Sequence, residues 1–268
     1  MAVRLRPSTE LARGELAALF TAAYEGYFVP FAVDETALDT MVDVFDLDLA
    51  ESRVAEEDGV PVGLANLGRR GSRTWLGGVG VVPARRRAGI GERLTRALLD
   101  RAEAAGATEM VLEAIVENGP AIALYEKLGF VRTRELEVLS LAAGDGGADA
   151  PANAPLEAVR ALIAERRDAE EPWQRADETV ERLRGREPAP EGIVSGGAGA
   201  VYRVTGETVG LVQAAGDEAG LDDVLGALRA KGTVSAVNYP AGGAVARALH
   251  RAGATVVLRQ HEMVRRLP

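Results

Sequence analysis

Apolar residues recur along this chain with two periods, and the changes from one to the other mark out its elements. Leu11, Leu16, Leu19 and Phe20 lie at helical spacing behind Ser8 or Thr9, either of which can cap a first helix. An aromatic segment from Tyr24 to Phe31 follows, then a second helix near Glu35 to Phe45. Three strands are predicted next: Arg53 to Glu57 leads into the turn Asp58-Gly59, Val60 to Arg69 returns, and Arg73 to Val82 runs back. Ile90, Leu94, Ala97, Leu98 and Ala105 restore the helical period. Thr108 to Val116 is a nearly unbroken apolar run, as expected of a strand covered on both faces. Asn118 starts a short helix with Pro120 in its first turn, where a missing N–H is harmless, and Gly129 ends it before strands around Val131 to Leu141.

From Ala142 to Pro155 the residues are small, rich in glycine and proline, and without period, which reads as a linker. Beyond it come helical patterns near Leu156 to Arg167 and Gln174 to Arg184, then strands at Val201 to Val204 and Thr208 to Val212. A helix at Leu221 to Ala230, a strand at Val234 to Val237, a helix at Gly243 to Ala252 and strands from Thr255 to Arg266 close the chain. That order repeats the first half, and Asn238 to Pro240 echoes Asn118 to Pro120, so an internal duplication is expected. The expected division is a domain over 1–141, a linker over 142–155 and a second domain over 156–268, each an α/β unit with a mixed sheet flanked by helices.

Composition narrows the function class. Hydrophobic residues make up 47% and charged residues 26% of 268, which fits a globular protein with a real core. No apolar run approaches the roughly 18–20 residues that span a bilayer, and the first residues turn polar at once, so no membrane partner and a cytoplasmic location are expected. Cysteine is absent, which excludes disulfides, thiolate metal sites and cysteine nucleophiles. His250 and His261 read as isolated surface residues, so no metal is expected. A net charge of -9 argues against nucleic acid as a partner.

The chemistry concentrates in V-G-V-V-P-A-R-R-R-A-G-I-G, from Val79 to Gly91. A β-branched strand ends at Pro83, and a basic turn with two glycines opens a helix. A helix start offers unpaired N–H groups and the positive end of the helix dipole, glycines admit a ligand to the backbone, and arginines add charge. The turn can therefore cradle a phosphate. The spacing Arg86-x-x-Gly89-x-Gly91 resembles the acyl-CoA loop of the GNAT superfamily of N-acetyltransferases. Downstream, N-x-x-A-x-x-L-Y-x-x-L-G-F, from Asn118 to Phe130, is similar to that superfamily's second acyl-CoA motif. By contrast, no G-x-x-x-x-G-K-[ST] occurs, and the third glycine of G-x-G-x-x-G is missing.

The resemblance implies two tandem GNAT-like domains and transfer of an acyl group, usually acetyl, from acetyl-CoA to a primary amine by direct attack, with no metal. The N–H groups of Arg87, Ala88, Gly89, Ile90 and Gly91, with Arg86 and Glu92 beside them, would hold the pyrophosphate, and the pantetheine would lie along Val79, Val81 and Val82. Asn118 belongs to the same binding set. Tyr125 stands where the family keeps the general acid for the leaving thiolate. Glu113, a lone charge in an apolar strand, is the candidate base, and burial is expected to raise its pKa. Tyr24, Tyr27 and Phe31 are candidates for the acceptor wall, or else close the core.

In the second copy the cradle's place is taken by A-A-G-D-E-A-G, whose Asp217 and Glu218 would repel a pyrophosphate, and Leu249 takes the place of Tyr125. That copy is read as degenerate, shaping the acceptor site or a homodimer. The acceptor is a small molecule, an amino acid or a peptide N-terminus. A protein-modifying acetyltransferase and a non-catalytic acyl-CoA-binding or interaction protein are the other readings.

Overall fold

The computed structural model describes residues 3–145, 151 and 153–268. The first repeat runs β1 (Val3–Pro7), α1 (Arg13–Ala23), α2 (Glu35–Val44), β2 (Arg53–Glu57), β3 (Val60–Arg70), β4 (Arg73–Val81), α3 (Ile90–Ala104), β5 (Glu109–Ile115), α4 (Gly119–Lys127) and β6 (Val131–Leu141). The second runs β7 (Asn153–Ala154), α5 (Leu156–Arg166), α6 (Asp177–Arg184), β8 (Glu191–Ser195), β9 (Ala198–Thr205), β10 (Thr208–Ala215), α7 (Glu218–Arg229), β11 (Thr233–Pro240), α8 (Ala244–Arg251) and β12 (Thr255–Arg266). Element for element the order is the same, so the two halves are copies of one α/β plan. Among the described residues no helix is long and apolar enough to cross a membrane.

Three local expectations are corrected. Ser8 and Thr9 do not cap α1: they lie in a single 3-10 turn, Leu11 after it is extended, and α1 begins at Arg13, where Glu15 accepts from the Ala12 N–H at 3.1 Å. The helix expected from Gln174 starts at Asp177, after a separate turn at Trp173–Arg175. His250 is not isolated, because its Nε2 lies 2.7 Å from the Glu137 carboxylate.

By contacts the chain divides into Met1–Thr133 with Glu262–Pro268, and Arg134–His261. In the first unit the strands lie in the order β1-β2-β3-β4-β5, followed by the end of β12. One face carries Leu94, Leu98, Met110, Leu112, Phe130 and Met263 under α3 and α4. The other carries Leu16, Phe20, Leu38, Val54 and Leu64 with α1 and α2. In the second unit β6, β11, β10, β9, β8 and β7 lie side by side, and Leu139, Tyr202, Leu221, Leu228 and Leu249 fill its main core. The boundaries read from the sequence follow the repeats, whereas the contacts divide the chain within β6 and within β12. Leu136 to Leu141 pairs antiparallel with β11, and Met263 and Leu267 bury in the first unit's core. Of the expected linker, residues 146–150 and 152 lie outside the described residues.

Candidate active site

The first unit's sheet opens in the middle. β4 and β5 pair in parallel only from Arg73↔Glu109 to Trp75↔Val111, so the backbone of β4 beyond Trp75 is left for another partner. On its other side β4 carries a bulge: Ala65 pairs with Val79 and Leu67 with Leu76, so Gly77 and Gly78 together oppose Asn66. Gly78 has φ +118°, and a Cβ there would lie 2.6 Å from the Tyr24 hydroxyl. Only glycine suits that position.

Past the bulge the chain turns into α3 through exposed residues, Arg85 to Gly89. Gly89 caps the helix at φ +77°, and Arg87 is held at φ +64°, a left-handed conformation that costs a non-glycine residue about 1 kcal/mol or more. The first bond into the helix runs from Arg93 N–H to Gly89 O at 3.1 Å. Helix geometry therefore leaves the N–H groups of Ile90, Gly91 and Glu92 without an intrahelical acceptor, pointing out of the helix start. Ile90 is 2% exposed and anchors the turn in the core. At Gly91 an added Cβ would come no nearer than 3.7 Å to Leu124, so packing does not demand a glycine there. Close approach of a ligand to the backbone would.

Arg86 does something the sequence did not suggest. Its Nε donates to Val81 O at 3.0 Å, and its Nη2 donates to Ala23 O at 3.2 Å and Glu25 O at 2.6 Å. The guanidinium thus ties the end of α1 to the end of β4 from within the turn. Glu92 pairs with Lys127 at 2.7 Å and Arg96 at 2.9 Å. Those two hydrogen bonds, Lys127's first, hold its carboxyl below the usual range.

Tyr24, Tyr27 and Tyr125 come together, with Tyr24 against Gly78 and Gly80 of β4. Burial pushes the Tyr125 hydroxyl well above the ordinary tyrosine value, and the nearby Tyr27 pushes it the same way. Tyr24 is raised by burial, then by Tyr27 and Tyr125. Tyr27 is raised by burial and drawn partly back by a hydrogen bond with Asn118. Asn118 also caps α4, its Oδ1 accepting from Ala121 N at 3.3 Å. The Tyr24 ring stacks 5.2 Å from Phe20 and lies 5.1 Å from Phe31, which is 36% exposed. The aromatic segment therefore both closes the core and presents a surface.

Glu113 keeps different company. Met110, Leu112 and Ala114 of β5 face α3 and α4, so by alternation Glu113 points to the α1–α2 side. There its Oε2 accepts from Trp75 Nε1 at 2.8 Å. Tyr125 belongs to the core on the α3–α4 side. The two candidate proton-transfer groups thus approach the opening from opposite faces of the sheet. Trp75, the partner of Glu113, was missed from sequence, although a tryptophan two residues before a Gly-Gly pair is itself a signal. Among the described residues no cluster of three or more His, Asp or Glu side chains is arranged to hold a metal.

The corresponding place in the second unit is filled from within. β10 and β11 pair from Thr208↔Thr233 to Leu211↔Ala236, and β10 then bulges at Val212. Arg175, 3% exposed, donates to Val212 O and to Asn238 O, each at 3.1 Å, so it bridges both strands. Its Nη2 meets Glu171 Oε2 at 2.7 Å, and its guanidinium carbon lies 3.1 Å from the centre of the Tyr239 ring. Burial pushes the Glu171 carboxyl up, against the pull of Arg175. At the start of α7, Asp217 Oδ1 accepts from Gly220 N at 2.9 Å and so occupies a helix-start N–H. The ends of α4 and α8 match in their bonding: Phe130 N reaches Tyr125 O, and Ala254 N reaches Leu249 O, each just past a glycine, at φ +85° and +90°. Leu249 therefore stands where Tyr125 does.

Residues 16–130 match the acetyltransferase (GNAT) family. The first repeat is a GNAT acetyltransferase domain. N-alpha-acetyltransferase 30 of Schizosaccharomyces pombe is 41% identical over 64 residues, 24% of this chain and 43% of that protein. The chain thus spans less than half of the curated relative it matches. A GCN5-related N-acetyltransferase from Sphaerobacter thermophilus superposes with a TM-score of 0.70 over 98% of this chain and 95% of its own, at 17% identity. A tandem GNAT protein from the clavulanic acid biosynthesis pathway does so with 0.64 over 99% and 98%, at 14% identity. The tandem GNAT fold therefore covers both repeats, while the family match falls on the GNAT domain of the first.

Proposed function

We propose that the GNAT domain of the first unit transfers an acetyl group from acetyl-CoA to a primary amine of a small molecule or peptide, and that the second unit takes no part in the chemistry. One observation carries this reading: β4 and β5 part ahead of a glycine-capped helix start, with Tyr125 in the core on one face of the sheet and Glu113 pointing to the other. The N–H groups from Arg87 to Gly91 are suited to the pyrophosphate, and the side of Val79 to Val82 that turns away from β3 to the amides of pantetheine. A β4 N–H near the bulge can meet the thioester oxygen as charge builds there. Glu113 would take the proton from the incoming amine as its nitrogen attacks the acetyl carbonyl. Tyr125, kept protonated by burial, would give its hydrogen to the departing thiolate. In the second unit Arg175 lies where the pantetheine would run, and Asp217 sits at the helix start, both of which support a single acetyl-CoA site per chain.

The test is an acceptor screen that follows release of free CoA thiol, with wild type and Tyr125→Phe. Wild type is expected to release thiol only in the presence of an amine. Tyr125→Phe should lower kcat by about a hundredfold or more while leaving the KM for acetyl-CoA nearly unchanged. Equal loss of both, or thiol release independent of the amine, would refute the assignment.

A further inference from the structure

Asn66 lies in the middle of β3 with no exposed surface, between Ala65 and Leu67. Neither its Oδ1 nor its Nδ2 has a hydrogen-bond partner among the described residues. A buried amide in that state is costly, and an apolar side chain of its size would pack there more favourably. Something else must account for an asparagine.

Its surroundings indicate what. By alternation Asn66 shares the α1–α2 face of β3 with Leu64, and the register sets it against Gly77 and Gly78. These two glycines place no side chain over it. Around them stand the Trp75 ring, whose Cζ3 lies 2.6 Å from where a Gly77 Cβ would be, and the Tyr24 hydroxyl over Gly78. Trp75 in turn holds Glu113. The unpartnered amide therefore lies beneath the bulge, on the face to which the candidate base points.

We propose that Asn66 recognises the acceptor, pairing with an amide group next to the reacting amine, so that the preferred substrate is the N-terminus of a peptide. This rests on the acetyltransferase reading above. The chemistry selects among amines. A primary amide presents a donor and an acceptor side by side, which match the C=O and N–H of a peptide unit. An alkylamine offers donors alone and leaves Nδ2 unpaired. A free amino acid would bring its carboxylate towards the Glu113 carboxylate, and like charges repel. A neutral peptide unit satisfies Asn66 without that repulsion.

The experiment compares wild type, Asn66→Leu and Asn66→Gln on a short peptide with a free N-terminus, on the amino acid of its first residue, and on a simple alkylamine. Wild type should favour the peptide. In Asn66→Leu the ratio of peptide to alkylamine kcat/KM should fall about tenfold or more, as expected for a lost hydrogen-bonded pair. The KM for acetyl-CoA and the melting temperature should hold or, for the latter, rise, and Asn66→Gln should recover part of the ratio. In 15N-labelled wild type with CoA bound, the Asn66 side-chain signals should shift when peptide is added. An unchanged ratio overturns the proposal, as does a fall in melting temperature with all acceptors losing rate together, which marks a structural amide. Wild-type transfer that favours alkylamines overturns this proposal alone, whereas no transfer to any amine overturns the function and this proposal with it.

Discussion

Replacing Arg86 separates two ways in which an arginine in a glycine turn can serve an anion. If its charge faces the phosphate, lysine should substitute well. If its fork of donors holds the turn in shape, lysine should fail, because an ammonium on a flexible stem cannot span carbonyls of two elements. The structure favours the second: the guanidinium reaches Val81 O, Ala23 O and Glu25 O. Each such bond contributes about 0.5–1.5 kcal/mol, and the exposure of Arg86 puts these near the lower end. Together they amount to about 1.5 kcal/mol of order in the turn, or roughly tenfold in affinity for a ligand that needs the turn formed. Titration calorimetry with acetyl-CoA should therefore show Arg86→Lys and Arg86→Ala weakened to a similar degree, about tenfold, with the salt dependence of binding unchanged between wild type and Arg86→Ala. Near-wild-type binding by Arg86→Lys would refute the clamp and return Arg86 to the role of a point charge.

Three further outcomes are expected. Gly78→Ala should destabilise the protein to urea by about 1–3 kcal/mol, since it forces a side chain into a left-handed bulge against the Tyr24 hydroxyl, and adding Tyr24→Phe should recover part of the loss; unchanged stability would refute the strain. Arg175→Met should cost about 3–5 kcal/mol by leaving the Glu171 carboxylate buried without its partner, and Arg175→Met with Glu171→Leu should cost less than Arg175→Met alone; equal losses would show that the pair is not coupled. Burial holds the Tyr24, Tyr125 and Tyr239 hydroxyls above the ordinary tyrosine value of 10.0, so the folded chain keeps protons that the unfolded chain loses. Their contribution is complete below that value and is lost as pH rises above it, so the melting temperature should begin to fall there, less steeply in Tyr24→Phe; a slope identical to wild type would refute the assignment.

Much of this was legible because local rules and the fold agree. The turn at Asp58-Gly59, the cap at Asn118 and the stop at Gly129 each depend on backbone geometry that a few neighbouring residues determine, and each is where the sequence suggests. β1 and β8 were missed because Val3–Pro7 and Glu191–Ser195 are short and carry charge or glycine, so that only pairing with β2 and β9 makes them strands. The site was legible as a set of elements and less so as contacts. The acceptors of Arg86 at and just past the end of α1 lie 63 and 61 positions away, and no spacing rule reaches so far. Trp75 and Glu113, 38 apart, meet only because β4 and β5 are neighbours. Asn66 left no local mark, since one amide in an apolar strand reads as noise until its lack of partners is seen.

The allotment of the last residues to the first unit has a consequence for how the protein is made. Met263 is 0% exposed in the same core as Tyr125 and Phe130, and Leu267 N donates to Thr108 O at 2.9 Å. A ribosome that has finished residues 1–141 has therefore not yet produced everything the GNAT domain needs to close. Its hydrophobic interior waits, partly open, through the synthesis of more than a hundred further residues, and a gene cut at the apparent boundary should yield an aggregating fragment rather than a smaller enzyme.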